Sequence, residues 1–152
     1  MKDDRLPSPF HDISGPTLHS LTYVSSASAD LSADALLELL ARWRPKNHSA
    51  GLTGMLLFSG GNIIQTLEGP FPSVEGVFTT IDADSRHHGV IALHREEIDA
   101  RAFPDWSMGF GRYDQQSGLA VEGTSAFLRQ RTEDPHSGSA LRLLEIFRET
   151  MR

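Results

Sequence analysis

From Leu52 to Gly69 the chain reads LTGMLLFSGGNIIQTLEG, two apolar runs joined by Gly60 and Gly61. A Gly-Gly pair suits a two-residue primed turn, whose backbone needs positive φ, so the stretch is expected to form a β-hairpin. That register sets Leu56 opposite Gln65 and Phe58 opposite Ile63, and strand alternation then puts Gln65 on one face with Ile63 and Leu67. An amide on an apolar strand face costs roughly 1–3 kcal/mol if it is buried without partners. A buried hydroxyl or water, a neighbouring side chain or a heteroaromatic ligand would satisfy Gln65, as would exposure of this face. Spacing alone leaves these open.

Upstream, LHSLTYV from Leu18 to Val24 alternates in part and ends in small residues, giving a first strand with Tyr23 at its end. Asp30 or Ser32 can cap a helix whose Leu36, Leu39, Leu40 and Trp43 recur at helical spacing. Pro45 is expected to end or kink that helix near Arg44, leaving Lys46 and Asn47 at its exit. Downstream of Pro70 and Pro72, Ser73 can cap a second helix with Val74, Val77, Phe78 and Ile81 on one face. The loop DSRHHG (84–89) then leads to VIALH (90–94) as a fourth strand, and WSMGF (106–110) reads as a fifth, with Trp106, Met108 and Phe110 on one face.

The order is β-α-β-β-α-β with an additional fifth strand, a ferredoxin-like α+β fold with two helices on one face of the sheet. Segments near 124–131 and 139–151 are expected to supply C-terminal helices for the other face, the second carrying Leu141, Leu144, Phe147 and Met151 along its stripe. Residues 1–16 read as a flexible leader, 17–113 as the domain, and 114–152 as a helical extension packed on the sheet.

The length of 152 residues suits one domain, and 39% hydrophobic residues before glycine is counted rule out a fully disordered chain. A formal charge of −6 disfavours general attraction to nucleic acid or anionic membranes. The absence of cysteine removes disulfides, thiolate nucleophiles and Cys-based metal sites. The opening MKDDRLPSPFHD does not read as a signal peptide, and no run approaches ~18 apolar residues, so a soluble cytoplasmic protein is expected. No Gly-rich phosphate loop occurs, and the seven histidines lack metalloprotease spacing, so no metal is expected.

Four further positions carry chemistry. Tyr23 supplies a phenol that can meet the Gln65 amide if their strands are adjacent, or can serve as an ordinary amphipathic strand residue. Asn47 can clamp the polar edge of a ligand or simply cap a helix. Arg86 with His87 can touch a ligand phosphate, Arg through its planar fork, or lie in a solvated loop.

Together these segments resemble the BLUF domains, blue-light sensors using flavin adenine dinucleotide. The resemblance runs over roughly residues 17 to 112, through LTYVS, KNHSAGLTGMLLF, IIQTLEG, DSRH and RAFPDWSMGF, five segments in order and register. It implies FAD as the cofactor, Tyr23 as the phenol that donates an electron to excited flavin, and Gln65 as the amide bridging Tyr23 and the isoalloxazine. Asn47 matches the asparagine that bonds the ring's polar edge, and Arg86 and His87 match residues near the phosphate end. Trp106 and Met108 match the pair on the last strand associated with the signal route. The sequence departs from the family pattern at Pro45 and in its long leader. With no effector domain expected, output is expected to pass through an unknown protein partner or through homo-oligomers, and no enzymatic activity is expected.

Two other readings share the fold. An acylphosphatase-like hydrolase needs an arginine in the first strand-helix loop, where this chain has SSASAD. A light-insensitive ligand-binding regulatory module would be colourless, whereas a flavin photoreceptor would be yellow.

Overall fold

The structure, a computed structural model, describes residues 17–104, 107–114, 116, 118–122 and 137–150. Its first strand, β1 (Leu18–Ala27), is followed by helix α1 (Ala33–Ser49), the hairpin β2 (Thr53–Ser59) and β3 (Asn62–Pro70), and helix α2 (Phe71–Asp82). Then come β4 (His87–Ile98), β5 (Gly109–Asp114), β6 (Gly118–Glu122) and helix α3 (Ser137–Thr150). One sheet results, in the order β4-β1-β3-β2-β5-β6. The β1–β3 and β2–β3 pairs are antiparallel, so β1 and β2 run the same way on either side of β3, as the ferredoxin-like order requires. β5 adds alongside β2 in parallel.

The hairpin forms in the expected register: Ser59 pairs with Asn62, Phe58 with Ile63 and Leu56 with Gln65. Gly60 and Gly61 have φ of 54° and 87°, the left-handed pair that a type I′ turn demands. On the other side of β3, Tyr23 lies directly across from Gln65. The phenol and the amide are therefore cross-strand neighbours.

Two cores flank the sheet. On one face, Leu36 and Leu40 of α1 and Val74 and Ile81 of α2 bury against Leu21, Tyr23, Leu56, Ile63, Leu67 and Phe110. On the other, Leu143, Leu144 and Phe147 of α3 pack on Met55, Leu57, Ile64 and Phe103. The neighbours in sequence along β3 alternate between these cores, as strand geometry dictates.

Several boundaries differ from the sequence reading. Helix α1 does not end near Arg44 but runs through Pro45 to Ser49, capped at its start by the Ser32 hydroxyl accepting from Ala35 N at 3.1 Å. Pro45 removes one amide donor, but a full turn follows it, closed by Ala50 N to Lys46 O and Leu52 N to Asn47 O at 3.0 and 2.8 Å. Helix α2 begins at Phe71 with Pro70 as its cap, so Ser73 lies inside it. Pro72 sits in the first turn, where a missing amide costs nothing. The fifth strand starts at Gly109 rather than Trp106, and the extension expected to be helical opens with β6, antiparallel to β5. The leader, Trp106 and the segment 124–131 lie outside the described residues.

Candidate functional site

Between α1, α2 and the sheet lies a cleft of about 580 Å³, counting its open mouth and the gaps among its lining side chains. Its walls are apolar, from Leu36, Leu40, Trp43, Val77 and Ile81, and its polar groups converge from four elements: Tyr23, Asn47, Gln65 and His87, with Asp84 and Arg86 toward the exposed side.

Leu36, Leu40, Trp43 and Asn47 fall at i, i+4, i+7 and i+11, so the helix that continues past Pro45 presents Asn47 on its core-facing stripe. Asn47 is buried and donates from Nδ2 to the Ser107 carbonyl at 3.3 Å. One turn earlier, Arg44 donates from Nε to the Met108 carbonyl at 2.9 Å. Burial lowers the guanidinium's pKa from its ordinary value.

At the floor, the Tyr23 hydroxyl donates to Gln65 Oε1 at 2.5 Å, and Gln65 Nε2 donates to Met108 Sδ at 3.1 Å. Both ends of the amide are thus used, on a residue only 4% exposed. The Tyr23 ring is held by Phe78 and His87, at centroid distances of 5.6 and 6.2 Å. Burial, with the Asp84 charge second, pushes the Tyr23 phenol well above its ordinary pKa. Tyr23 is therefore a protonated donor throughout the physiological range.

His87 is fixed at both nitrogens. Nε2 lies 2.6 Å from the Ile81 carbonyl, which can only accept, so that nitrogen carries the proton, and Nδ1 lies 2.8 Å from Ser25 Oγ. Arg86, at the cleft mouth, forms a two-pronged pair with Asp84 at 2.9 and 2.7 Å, and Asp84 also accepts from the Arg86 amide at 2.9 Å. The hydrogen bond from Arg86 holds the Asp84 carboxyl below its usual pKa. Sequence reasoning missed Asp84, though its place two residues before Arg86 is an Asx-turn signal. It also missed Ser25 and Arg44, whose partners are remote in sequence.

The donor set fits a flavin. A flat heteroaromatic ring needs apolar walls and a few amides along its polar edge, which Asn47 and Gln65 offer, and an attached phosphate needs a cation at the mouth, where Arg86 stands. Among the described residues there is no cluster of His, Asp or Glu that could hold a metal ion, and no helix long and apolar enough to cross a membrane.

The BLUF family model, described as sensors of blue-light using FAD, matches residues 18–109. The dark-state structure of BlrB, a BLUF protein, superposes with a TM-score of 0.63 at 34% identity, covering 85% of this chain and 96% of that one. Klebsiella pneumoniae BlrP1 with FMN and cyclic diGMP gives 0.59 at 34% identity, over 66% of this chain and 26% of that one. The photoactivated adenylate cyclase subunit beta of Euglena longa is 34% identical over 93 residues, 60% of this chain and 11% of that protein. The chain thus spans about a tenth of that curated relative's length. With the family matched from the first strand to the fifth and the cleft carrying the amides a flavin needs, the chain belongs to the BLUF family of flavin-binding blue-light sensors.

Proposed function

We propose that this domain holds FAD noncovalently and answers blue light by rearranging the hydrogen bonds of Gln65, with Tyr23 as the phenol that starts the change. The observation that carries this reading is the chain Tyr23 hydroxyl, Gln65 amide, Met108 thioether, at 2.5 and 3.1 Å. Bound flavin supplies an oxidant when it absorbs blue light. Tyr23, stripped of water and kept protonated by burial, is a phenol with a proton acceptor already in place at Gln65 Oε1. Loss of an electron to the excited flavin would make the phenol far more acidic, so its proton could leave along that bond, and return of both electron and proton would restore the phenol with no net redox change. Gln65 then exchanges its donor and acceptor ends, which are nearly isosteric. Asn47 and Gln65 orient the ring's polar edge, while Arg86 serves the phosphate end and His87, its proton committed to the Ile81 carbonyl, lines that end without donating to it. Arg86 leaves its pair with Asp84 in part to serve it.

No substrate bond changes in this scheme, so the domain is a sensor rather than an enzyme. Output passes to a partner chain or to a second copy of this chain. Trp106 and Met108 belong to the segment that would carry it, and Met108 Sδ accepts from Gln65 Nε2. The test is an absorption spectrum before and after blue illumination. A yellow protein with a reversible red shift supports the reading, and a colourless preparation that takes up no added FAD overturns it.

A further inference from the structure

We propose that Glu68 is a positioning residue of the light-sensing site: it pins the β4–β5 connection so that Met108 Sδ stays the acceptor of Gln65 Nε2. The inference rests on the light-sensing reading above. Glu68 lies three residues after Gln65 on β3 and so faces the opposite side of the sheet. It is only 1% exposed. Its two oxygens accept from Ala102 N at 2.7 Å, Phe103 N at 3.0 Å and Thr53 Oγ1 at 3.0 Å. All three are donors, the set that an acceptor-only carboxylate satisfies.

A buried carboxylate is an expensive way to fill space, and the same sheet face carries Ile64 and Leu57 where only packing is needed. What Glu68 does that an apolar residue cannot is hold two consecutive backbone amides of the connection. Arg101, the residue before them, donates to Thr53 Oγ1 at 2.8 Å and to the Glu68 carbonyl at 3.4 Å, which fixes the start of the same segment. The far end is held from the other side of the sheet, by Arg44 on the Met108 carbonyl and Asn47 on the Ser107 carbonyl. Gln65 and Glu68 sit on one rigid strand, so the amide that switches and the anchor of its partner share a frame. The fit is close: a Cβ at Gly54 would come within 3.2 Å of the Met108 methyl.

The test uses the full chain with its flavin, labelled at the methionine methyl groups, the Met108 signal being assigned by Met108→Leu. In Glu68→Gln the side-chain volume is kept, but an NH2 group replaces one acceptor. The expected result is a displaced Met108 methyl resonance in the dark and a lit-state decay changed about five-fold, which is about 1 kcal/mol at about 1.36 kcal/mol per decade. In the Met108→Leu background the same substitution should leave the decay within about two-fold, the scatter of independent sites. Ser20→Ala, directly across from Glu68 on β1, should leave both signals at parent values. Glu68→Gln that lowers the melting temperature while leaving resonance and decay unchanged overturns the proposal, as does a decay change that persists without Met108. A parent that shows no light response sinks the light-sensing reading instead, and the Met108 resonance then decides the positioning role by itself.

Discussion

Tyr23→Phe removes one oxygen and leaves the ring, its burial and its contacts with Phe78 and His87 in place. What is lost is the 2.5 Å bond to Gln65 Oε1, which strands a buried acceptor. An unsatisfied group of this kind costs roughly 1–3 kcal/mol, and removing the phenol's own desolvated hydroxyl offsets part of it, so about 1 kcal/mol is expected at pH 7. For a domain of this size that is a fall of about 4 °C in melting temperature. The pH dependence gives a second handle. The folded pKa of Tyr23 is raised by burial, so above the ordinary phenol value of ~10 the unfolded chain loses a proton that the folded chain keeps. The parent therefore loses stability as pH rises through ~10, by about 1.4 kcal/mol at pH 11, and the phenylalanine variant does not lose that increment. The gap between the two melting curves should shrink to nothing or reverse between pH 7 and pH 11, at matched flavin occupancy. The variant should also take up flavin yet fail to form the red-shifted state. A gap that is the same at both pH values refutes the buried, protonated phenol, and a normal red shift refutes its role.

Gln65→Leu should bind flavin and show no red shift, since leucine has neither donor nor acceptor to exchange; absorption difference spectra decide it. Arg86→Ala should weaken FAD binding about tenfold by titration, with little change in the photocycle of bound flavin. Because the Arg86 side chain is about half exposed, its stability cost should stay below about 1 kcal/mol. That cost should vanish in acid, since the Asp84 pKa is depressed and its contribution is lost as pH falls below ~4. Gly54→Ala should destabilise by about 2 kcal/mol or more in urea unfolding, because the added Cβ would stand 2.0 Å from the Thr66 carbonyl oxygen. Hydrogen exchange in light and dark should differ over residues 104–152 if output leaves through β5 and α3, and identical exchange there, with unchanged mass in sedimentation, would exclude that route.

Legibility followed the range of the interactions. The hairpin and its register were readable because a local turn chemistry sets them, and that register places Gln65 opposite Leu56. Tyr23 across from Gln65 needed only the adjacency that the ferredoxin-like order supplies. Helix α1 misled because proline propensity argues for a stop, whereas tertiary contacts of Arg44 and Asn47 with the Ser107 and Met108 carbonyls hold the turn beyond it. Strand β6 was missed because GLAVE is only five residues long, too short for the alternation of Leu119 and Val121 to mark it, and its pairing to β5 is what makes it a strand. Glu68 gave no sign of its role, since the two backbone amides it holds lie 34 and 35 residues downstream in a connection whose path the sequence does not fix.

The two partners of Gln65 are chemically unequal, and that inequality sets the resting state. The Tyr23 hydroxyl can donate or accept, so it can bond either end of the amide. The Met108 thioether can only accept, and weakly, so it bonds the NH2 end and has nothing to offer the carbonyl. Exchanging the amide's ends keeps the bond to Tyr23 and forfeits the one to Met108. The resting orientation is therefore favoured by whatever holds the sulfur within reach, and the exchanged orientation needs a new donor or acceptor elsewhere to persist. Because the Met108 carbonyl is tied to Arg44 and the next residue begins β5, a changed preference at the sulfur bears on how that strand packs. A light-driven event can shift such an equilibrium only by its differential interaction with the two arrangements, typically about 1–3 kcal/mol between coupled sites. A shift of that size redistributes populations of an intact fold rather than unfolding it.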